Sequence, residues 1–415
     1  MLKRKFRREQ TAGDELLPTA SNTIDRQTFM RDLCIVVGTR PEAIKMAPVY
    51  FALQESSVLH PVLLSTGQHR EMLDQAFASF SLVPDHDLHL MQPGQSLADI
   101  TARVISRVHD YLTETRPAAV LVQGDTTTVL ATAMAAFYAG IPVGHVEAGL
   151  RTYDPQNPWP EEMNRRLVAP IAQWHFCPTQ QSREHLLSER IEESKCYVTG
   201  NTVIDALLWI RNKLDRENRT SDEVAARVGI SDAFNQRFLS DDATRWILVT
   251  GHRRESHGSG FVQMCDGILR IVAEHPDVGI LFPVHLNPHV RQPVMEKLGN
   301  HDRIELVDPV GYEDFVWLMD RCLFLLSDSG GVQEESPSLG KPVLVTRDTT
   351  ERPEGVAAGT CRLVGTDPQK IFAEADLLLS DSNELARRRG LKNPYGDGSA
   401  AQQIRTVLER SLCDR

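Results

Sequence analysis

The feature that most constrains the fold is an alternation of short apolar runs with longer helical segments, which occurs in both halves of the chain. In the first half the apolar runs are Leu33–Val37, Val62–Leu64, Ala119–Val122, Pro142–Val146, Trp174–Cys177 and Tyr197–Val198. In the second half they are Trp246–Val249, Ile280–Val284, Ile304–Val307, Leu323–Leu326, Val343–Val345 and Arg362–Val364. Short buried strands that alternate with helices are typical of parallel sheets covered on both faces. The sequence therefore predicts an α/β fold with two doubly wound parallel sheets.

Helical periodicity supports this prediction between and after the strands. A helix is predicted from about Ser96 to Thr115, with Ser96 as its N-cap and an apolar face formed by Ile100, Val104, Val108 and Leu112. Another is predicted from about Thr127 to Tyr138. The tail from about Ala401 to Leu412 also has helical spacing, and we expect it to pack back across the two domains.

A chain of 415 residues is expected to form two domains. We predict a disordered N-terminal extension at residues 1–30, a first domain at 31–199, a second domain at 200–385 and a C-terminal helical segment at 386–415. The extension is basic but lacks the apolar stretch of a secretory signal. The folded pattern begins directly after Met30, which is an alternative start of translation.

Composition excludes several functional classes. A net charge of −11 argues against a broad nucleic-acid surface. There is no apolar run long enough to span a membrane. The seven cysteines are scattered singly without a CxxC pair, which favours a reduced, cytoplasmic enzyme.

Charged or glycine-rich loops follow nearly every predicted strand. They read GTRPEAIK, TGQHRE, QGDTTT, HVEAGLR and TGN in the first half, and TGHRRE, PVHLNP, SDSGG and TRDTTERPE in the second. In doubly wound sheets, ligands bind at the carboxyl ends of the strands. Two such sheets that face each other would form one central cleft lined by all these loops.

The segment SDSGGVQEE is a predicted anchor for a nucleoside diphosphate. It places Ser329, Gly330 and Gly331 between a buried strand and the start of a helix. Free backbone N–H groups and the positive end of a helix dipole favour a phosphate at such a turn. Glu335 lies about one helical turn further on, where it is expected to accept hydrogen bonds from ribose hydroxyls. The alternative is a tight strand–helix turn without a ligand.

Cationic side chains are predicted to face this diphosphate. Arg40 and Lys45 follow the first strand, His252 follows the first strand of the second half, and Arg352 lies in a later loop. Arginine forks and protonated histidine match phosphate oxygens. The alternative for any one of these cationic residues is that it lies in a loop, exposed to solvent, without binding a phosphate.

Carboxylates end two neighbouring strands of the first domain. Asp125 and Glu147 are predicted to lie a few ångströms apart, and Glu161 lies four residues before Arg165. Such carboxylates act as proton donors and acceptors when their surroundings separate their pKa values. For Asp125, capping of the following helix is the alternative; Glu147 precedes a glycine and has no capping role.

Other patterns argue against metals and redox cofactors. His285 and His289 have H-x3-H spacing, but Pro288 between them argues against a helix that holds both. No GxGxxG follows the first strand, and no GxxxxGK[ST], HExxH or GxSxG is present. We therefore predict no cofactor and no metal. Phe315 is a candidate for stacking on a base, with a core phenylalanine as the alternative.

From about residue 31 to its C-terminus, the sequence closely resembles the non-hydrolysing bacterial UDP-N-acetylglucosamine 2-epimerases. The matching segments, in order, are GTRPEAIKMAPV (38–49), TGQHREMLDQ (66–75), QGDTTT (123–128), HVEAGLR (145–151), PWPEEMNR (158–165), TGHRRE (250–255), SDSGGVQEE (327–335), DTTERPE (348–354) and NPYGDG (393–398). The resemblance implies a GT-B-like fold, in which two Rossmann-like domains face the active site, and a homodimer. It also implies reversible conversion of UDP-GlcNAc to UDP-ManNAc for surface polysaccharides.

The resemblance further implies a mechanism, in which UDP is eliminated across C1–C2 and added back to a glycal. Asp125, Glu147 and Glu161 match the family's acid–base positions, and Lys45 and Arg165 match other active-site positions. Which carboxylate removes the proton stays open. Some members carry a regulatory UDP-GlcNAc site, which Gln68, His69 and Gln95 match in part, although Gly94 and Glu71 depart from the pattern of some members.

Other functions fit the same nucleotide anchor. A GT-B glycosyltransferase would add an acceptor site, and the three carboxylates of the first domain argue against it. The remaining alternatives are an epimerase of a UDP-linked diacetamido uronic acid, a hydrolysing relative that releases ManNAc and UDP, and a non-catalytic nucleotide-sugar sensor.

Overall fold

The structure is a computed structural model of the chain and describes residues 30–67, 70–90, 94–241, 244–253 and 258–413. The predicted extension lies outside the described residues except for Met30. The predicted regulatory residues Gln68 and His69 lie outside them as well.

Two parallel sheets form the framework of the described chain. The strands are β1 Arg31–Val37, β2 Leu59–Ser65, β3 His86–Asp87, β4 Ala119–Gln123, β5 Val143–Val146, β6 Trp174–Cys177, β7 Cys196–Val198, β8 Arg245–Thr250, β9 Val278–Pro283, β10 Ile304–Val307, β11 Leu325–Ser327, β12 Val343–Val345 and β13 Cys361–Leu363. The first sheet has the order β3-β2-β1-β4-β5-β6-β7, and the second has the order β10-β9-β8-β11-β12-β13. In both, the order reverses beside the first strand, as in doubly wound dinucleotide-binding folds. The predicted α/β class with two such sheets is confirmed.

Helices cover both sheets. They are α1 Arg40–Gln54, α2 Arg70–Ser79, α3 Leu97–Thr115, α4 Thr127–Tyr138, α5 Glu161–Val168, α6 Gln180–Ser188, α7 Thr202–Arg216, α8 Ser221–Val228, α9 Asp232–Phe234, α10 Ser259–Glu274, α11 Pro288–Leu298, α12 Tyr312–Arg321, α13 Gly330–Glu335, α14 Pro353–Ala357, α15 Pro368–Ser380, α16 Ser382–Arg389 and α17 Ala400–Cys413. No helix among the described residues is long and apolar enough to cross a membrane.

Local sequence explains where the site-bearing helices begin. Ser96 caps α3 as predicted, because its hydroxyl accepts the backbone N–H of Asp99 at 3.2 Å. In α1, the buried carboxylate of Glu42 accepts the N–H of Gly38 at 2.6 Å and that of Thr39 at 3.2 Å. These bonds fix the loop after β1, from which α1 carries its side chains toward the cleft.

The two domains share one hydrophobic core across α7. The ring of Trp209 on α7 stacks on Phe51 of α1, with centroids 5.2 Å apart, and lies 5.1 Å from the ring of Phe80. The same helix packs against α12 of the second domain. The tail helix α17 packs against α1 and against α7. The predicted boundary at residue 385 falls inside α16, which packs on α15 of the second domain.

The chain crosses between the domains near Gly200, as predicted. There the backbone N–H of Asn201 donates to the carbonyl oxygen of Tyr395 at 2.7 Å. Gly200, at φ +90°, and Gly396, at φ +133°, approach so closely that a Cβ built on either would lie 3.3–3.4 Å from the other's Cα. Two glycines therefore let the connection and the returning C-terminal segment cross in contact.

Candidate active site

A cavity of about 210 Å³ lies between the carboxyl ends of the first sheet and the second domain. The predicted residues that line it are Lys45, Asp125, Glu147, Arg165 and Arg352. The first four come from the first domain, and Arg352 comes from the second. The cleft predicted from the strand-end loops thus brings catalytic candidates of both domains together.

Glu147 is the most constrained carboxylate of this cavity. It directly follows β5 with φ +63°, in the left-handed region that costs a non-glycine residue of order 1–3 kcal/mol. Its carboxylate accepts Nζ of Lys45 at 2.7 and 2.8 Å, a hydrogen bond from Nε2 of Gln123 and one from Nδ2 of Asn201 at 3.4 Å. Four donated bonds hold the carboxylate in place despite the strained backbone.

A row of alternating charges crosses from the first domain to the second. Nζ of Lys45 lies 2.7 Å from Glu147 and 3.9 Å from Oε2 of Glu334, and Glu334 accepts the Nε–H of Arg352. Burial lowers the pKa of Lys45, but the two carboxylates outweigh this, and the pKa lies above its ordinary value. Glu334 likewise holds the pKa of Arg352 above its ordinary value despite burial. Both cations therefore stay charged in the cleft.

Asp125 lies two residues after the end of β4, the strand that pairs with β5. Thr126 caps α4 by accepting the N–H of Val129 at 3.3 Å, so the alternative capping role for Asp125 is wrong. Burial raises the pKa of the Asp125 carboxyl, although Arg165, whose Nε lies 3.4 Å from Oδ2, acts in the opposite direction. Asp125 thus combines a raised pKa with a position at the cavity, as is typical of acid–base groups.

Glu161 is the first residue of α5, and its negative charge raises the pKa of Asp125 further. The neighbouring Glu162 is fully buried and accepts the backbone N–H groups of Thr152 and Tyr153, both at 3.1 Å. Glu162 therefore fixes the loop before α5, whereas Glu161 is the half-exposed member of the pair and does not line the cavity.

The predicted anchor has the expected local structure. Ser329 is the N-cap of α13, and Gly330 and Gly331 form the first turn of this helix. A Cβ built on Gly330 would lie 3.5 Å from the guanidinium of Arg352. The positive end of α13 and the Arg352 side chain therefore face the same space, as anion binding requires.

His252 is oriented by a residue that sequence reasoning missed. Nδ1 of His252 lies 3.1 Å from Oδ1 of Asp328, whose other oxygen accepts the backbone N–H groups of His252 and Arg253, both at 2.8 Å. Burial alone would raise the pKa of Asp328, but these contacts with His252 and Arg253 hold it below its ordinary value. The Asp328 carboxylate thus fixes the orientation of the imidazole, which is 44% exposed.

Glu335 is buried, and its carboxylate accepts a hydrogen bond from another side chain of the protein. Its Oε1 accepts the hydroxyl of Tyr312 at 2.7 Å, and burial raises the pKa of Glu335 to about 7. Arg40 of the first domain is close enough for its charge to lower the pKa of both groups. Phe315 lies on α12, half-buried against the hydrophobic core.

The remaining predicted positions lie away from the cavity. Gln95 precedes α3 and donates Nε2–H to the carbonyl oxygen of Leu90 at 3.3 Å. Helix α11 begins at Pro288, so His285 precedes it and only His289 lies on it. Within the described ranges, no three histidine, cysteine or acidic side chains are arranged to hold a metal ion.

A larger cavity, of about 630 Å³, lies at the connection between the two domains around Gly200, which we call the hinge. Gly200, Gly396, Lys392 and Asp397 line it, and none of the cleft's catalytic candidates does. The chemistry therefore belongs to the smaller cavity, where the perturbed carboxylates and the buried cations meet.

The residues missed from sequence are partners of the predicted ones. They are Gln123, Asn201, Asp328 and Glu334. All four stand inside the motifs QGDTTT, TGN and SDSGGVQEE, and Glu334 directly precedes the predicted Glu335. A polar residue at the carboxyl end of a predicted strand was the available signal.

Comparisons with known proteins agree over most of the chain. Residues 51–409 match the family described as UDP-N-acetylglucosamine 2-epimerase. The Escherichia coli K12 protein of this name is 53% identical over 376 residues, which cover 91% of this chain and 98% of that protein.

Solved structures show the same similarity. The Neisseria meningitidis UDP-GlcNAc 2-epimerase bound to UDP-GlcNAc has a TM-score of 0.81 and 46% identity, and covers 91% of this chain and 100% of its own. The Methanocaldococcus jannaschii enzyme in complex with UDP-GlcNAc and UDP has a TM-score of 0.72 and 33% identity, covering 91% and 99%.

Proposed function

The chain belongs to the UDP-N-acetylglucosamine 2-epimerase family, and from this premise we propose that it interconverts UDP-GlcNAc and UDP-ManNAc without hydrolysis. The observation that carries the proposal is the shared cavity of Asp125 and Glu147, which Arg352 also lines; the guanidinium of Arg352 lies beside Gly330 of the anchor helix α13. Acid–base carboxylates on one side and anion-binding groups on the other match a substrate in which a diphosphate is attached to a sugar.

The chemistry of the substrate selects the route. The C2 proton is not next to a carbonyl group, so it is too weakly acidic for direct exchange. In the proposed reaction a carboxylate takes the C2 proton, the C2–H electron pair forms the C1=C2 double bond, and the C1–O pair leaves with UDP. Addition of UDP to C1 of the resulting glycal, with a proton delivered by a second group to the other face of C2, gives the epimer. The first carboxyl then loses its proton to solvent and the second group takes one up, which restores the enzyme.

The second domain is proposed to stabilise the departing UDP. His252 and Arg352 are proposed to donate to the diphosphate oxygens, as are Ser329 and the backbone N–H groups of Gly330 and Gly331. Negative charge grows on the bridging oxygen as the C1–O bond breaks, so fixed donors in a closed cleft stabilise this stage more than the ground state.

Arg40 and Glu335 are proposed to hold the nucleoside. The Glu335 carboxylate would accept hydrogen bonds from the ribose hydroxyls in place of the one from Tyr312, and Phe315 remains the proposed stacking residue.

The first domain is proposed to carry out the proton transfers. Two of the carboxylates Asp125, Glu147 and Glu161 supply them, one on each face of C2, and Lys45 and Arg165 balance their charges. In support, burial raises the pKa of Asp125, and Glu147 is paired with the Lys45 ammonium, so the two carboxylates have different surroundings.

We also propose a homodimer, since an apolar surface crosses two neighbouring helices of the first domain. Met163 and Leu167 on α5 are 37% and 47% exposed, and Phe137 and Tyr138 at the end of α4 are 63% and 61% exposed. Exposed apolar clusters of this kind mark association surfaces.

Light scattering during size-exclusion chromatography should show that the wild-type protein is a dimer and that the double variant F137E/L167E is a monomer. A monomeric wild type would exclude the homodimer.

The proposed place of action is the cytoplasm, where the product would enter surface-polysaccharide synthesis. In support, all seven cysteines are free, and six of them are buried. Free thiols are typical of proteins in reducing compartments.

Product analysis tests the proposed activity. Purified protein is incubated with UDP-GlcNAc alone, and the products are separated by anion exchange and identified by mass and NMR. A mixture of UDP-GlcNAc and UDP-ManNAc, reached from either side, supports the proposal. Free ManNAc with UDP indicates the hydrolysing relative. Turnover of a UDP-diacetamido uronic acid but not of UDP-GlcNAc would overturn the proposed substrate. A sigmoidal rate dependence on UDP-GlcNAc would support the predicted regulatory site.

A further inference from the structure

The hinge side chain Asn201 joins the two carboxylates that face each other across the domains. Its Nδ2 donates to Oε1 of Glu147 at 3.4 Å and to Oε2 of Glu334 at 3.2 Å. Lys45 spans the same two carboxylates from the other side, at 2.7 and 3.9 Å. The four groups form a closed ring in which one carboxylate belongs to each domain.

The orientation of the Asn201 amide is fixed by the backbone. Its Oδ1 accepts the N–H of Val203 at 3.1 Å, as the N-cap of α7, so the amide nitrogen must point to the carboxylates. Its own N–H donates to the carbonyl oxygen of Tyr395, and the residue is only 2% exposed. The side chain therefore has one position, set by the hinge.

The returning segment NPYGDG ties the same point to the second domain. Nδ2 of Asn393 donates to the carbonyl oxygen of Glu334 and to Oγ of Ser338, both at 2.7 Å. The hydroxyl of Tyr395 accepts the N–H of Gly355 at 3.0 Å. Asn201 and Glu334 are therefore tied to the same domain, and relative motion of the domains must change the distance between Asn201 and Glu147 or break these bonds.

We propose that Asn201 is a positioning residue, which couples closure of the two domains to the alignment of the Glu147 carboxylate. When the domains are closed, Glu334 and Glu147 share the amide and the Lys45 ammonium, and Glu147 is held toward the cavity. When they separate, Asn201 and Glu334 move away together with the second domain, and Glu147 loses the Asn201 amide that completes the ring. The inference rests on the proposed function for its effect on turnover but not for its effect on closure.

The test compares N201S with the wild type. Serine is as good an N-cap as asparagine, so α7 keeps its cap while the bridge to the carboxylates is lost. We expect kcat for UDP-GlcNAc to fall about ten- to a hundredfold, with KM and UDP affinity little changed, because misalignment acts on the chemical step. We also expect a larger radius of gyration by small-angle X-ray scattering in saturating UDP. N201D, which keeps the cap but adds a negative charge beside two carboxylates, should show both effects more strongly.

The matched control is T220A, which removes the N-cap of α8 at an exposed position that does not line the cavity of Asp125 and Glu147. It should lose thermal stability without a change in kcat or in the radius of gyration. A normal kcat in N201S would overturn the proposal, and so would a reduced kcat with an unchanged radius of gyration, since the amide would then act on Glu147 alone. A wild type that binds UDP but does not convert UDP-GlcNAc would contradict the proposed function, and the scattering comparison would still decide the coupling.

Discussion

The ammonium of Lys45 lies 2.7 Å from the carboxylate of Glu147, and both side chains are largely buried. Lys45 comes from the helix that follows β1, and Glu147 follows β5, so the pair joins the two ends of the site across the central strand β4. Breaking a buried ion pair by removing one partner leaves an uncompensated charge. Removal of either partner is therefore expected to lower stability as well as activity, and the variants must separate these two effects.

Glu147→Gln keeps the shape of the side chain but removes the charge, and its single amide oxygen can accept from either Gln123 or Asn201, which donate to different oxygens of Glu147. We expect kcat/KM for epimerisation to fall about 10²–10⁴-fold, the range of a lost acid–base group. UDP affinity, measured by calorimetry, should stay within the wild-type range because the anchor lies in the other domain. Activity near that of the wild type would exclude Glu147 from the proton transfers.

Asp125→Asn tests the second carboxylate. The amide can still face Arg165, but it cannot accept or return a proton. The same range of loss is expected, about 10²–10⁴-fold. The matched control is Glu162→Gln, at the buried carboxylate that fixes the loop before α5; its main effect should be on thermal stability, with a smaller loss of kcat. A D125N enzyme that retains more than a tenth of the activity would assign the proton transfers to Glu147 and Glu161.

Asp328→Asn should weaken UDP binding without unfolding the domain. The substitution removes the charge that faces Nδ1 of His252, while one amide oxygen still accepts the backbone N–H groups of His252 and Arg253. Loss of a charge-assisted hydrogen bond corresponds to about 1.5–3 kcal/mol, or roughly a ten- to hundredfold weaker affinity. Calorimetry with UDP gives the comparison, with uridine as the control ligand, whose affinity should change less. Equal losses for both ligands would contradict a diphosphate role for His252.

Asp205 should make stability depend on pH. Burial raises the pKa of Asp205 to about 6, with Asp397 adding to this effect and the N–H groups of Ala400 and Ala401 opposing it. The folded state therefore binds the proton more tightly than the unfolded state. The resulting stabilisation is fully present below about pH 4 and is lost as the pH rises to about 6, by up to about 3 kcal/mol.

The comparison for this prediction is Asp205→Asn, whose amide oxygen still accepts the N–H of Ala401 at the start of α17. Urea unfolding at several pH values should show that the wild-type stability falls relative to the variant between about pH 4 and 6. Parallel curves for the two proteins would contradict the raised pKa of Asp205.

Tyr312→Phe removes the donor to buried Glu335. The free energy of unfolding should fall by about 1–3 kcal/mol, because the carboxyl loses its partner. The hydrogen bond from Tyr312 lowers the pKa of Glu335, so the loss should be larger at pH 8, where the carboxyl is ionised, than at pH 6. In the Glu335→Gln background the difference between the two pH values should disappear.

Much of the architecture could be predicted because its signals are local. The strands β6, β10 and β12 begin and end where the apolar runs do, and Ser96 caps α3 as its position indicates. The two-residue edge strand β3 was missed, since His86 and Asp87 carry no apolar pattern.

The site was predicted as a set of strand-end residues, but its internal contacts were not. The amide of Asn201 meets carboxylates 54 and 133 positions away in the sequence. No local pattern reports which partner a polar residue finds across two domains. The left-handed backbone of Glu147 was equally invisible, because its motif gives glutamate at a position where only the folded loop imposes a positive φ.

The most direct test of the account is proton NMR of UDP-GlcNAc with the purified protein in deuterium oxide, without added NAD or metal. The account predicts that UDP-ManNAc appears with deuterium at C2, because the C2–H bond is broken and remade with solvent-derived hydrogen. UDP-ManNAc that retains the original C2 proton, or no UDP-ManNAc while UDP-GlcNAc stays bound and unchanged, would contradict it.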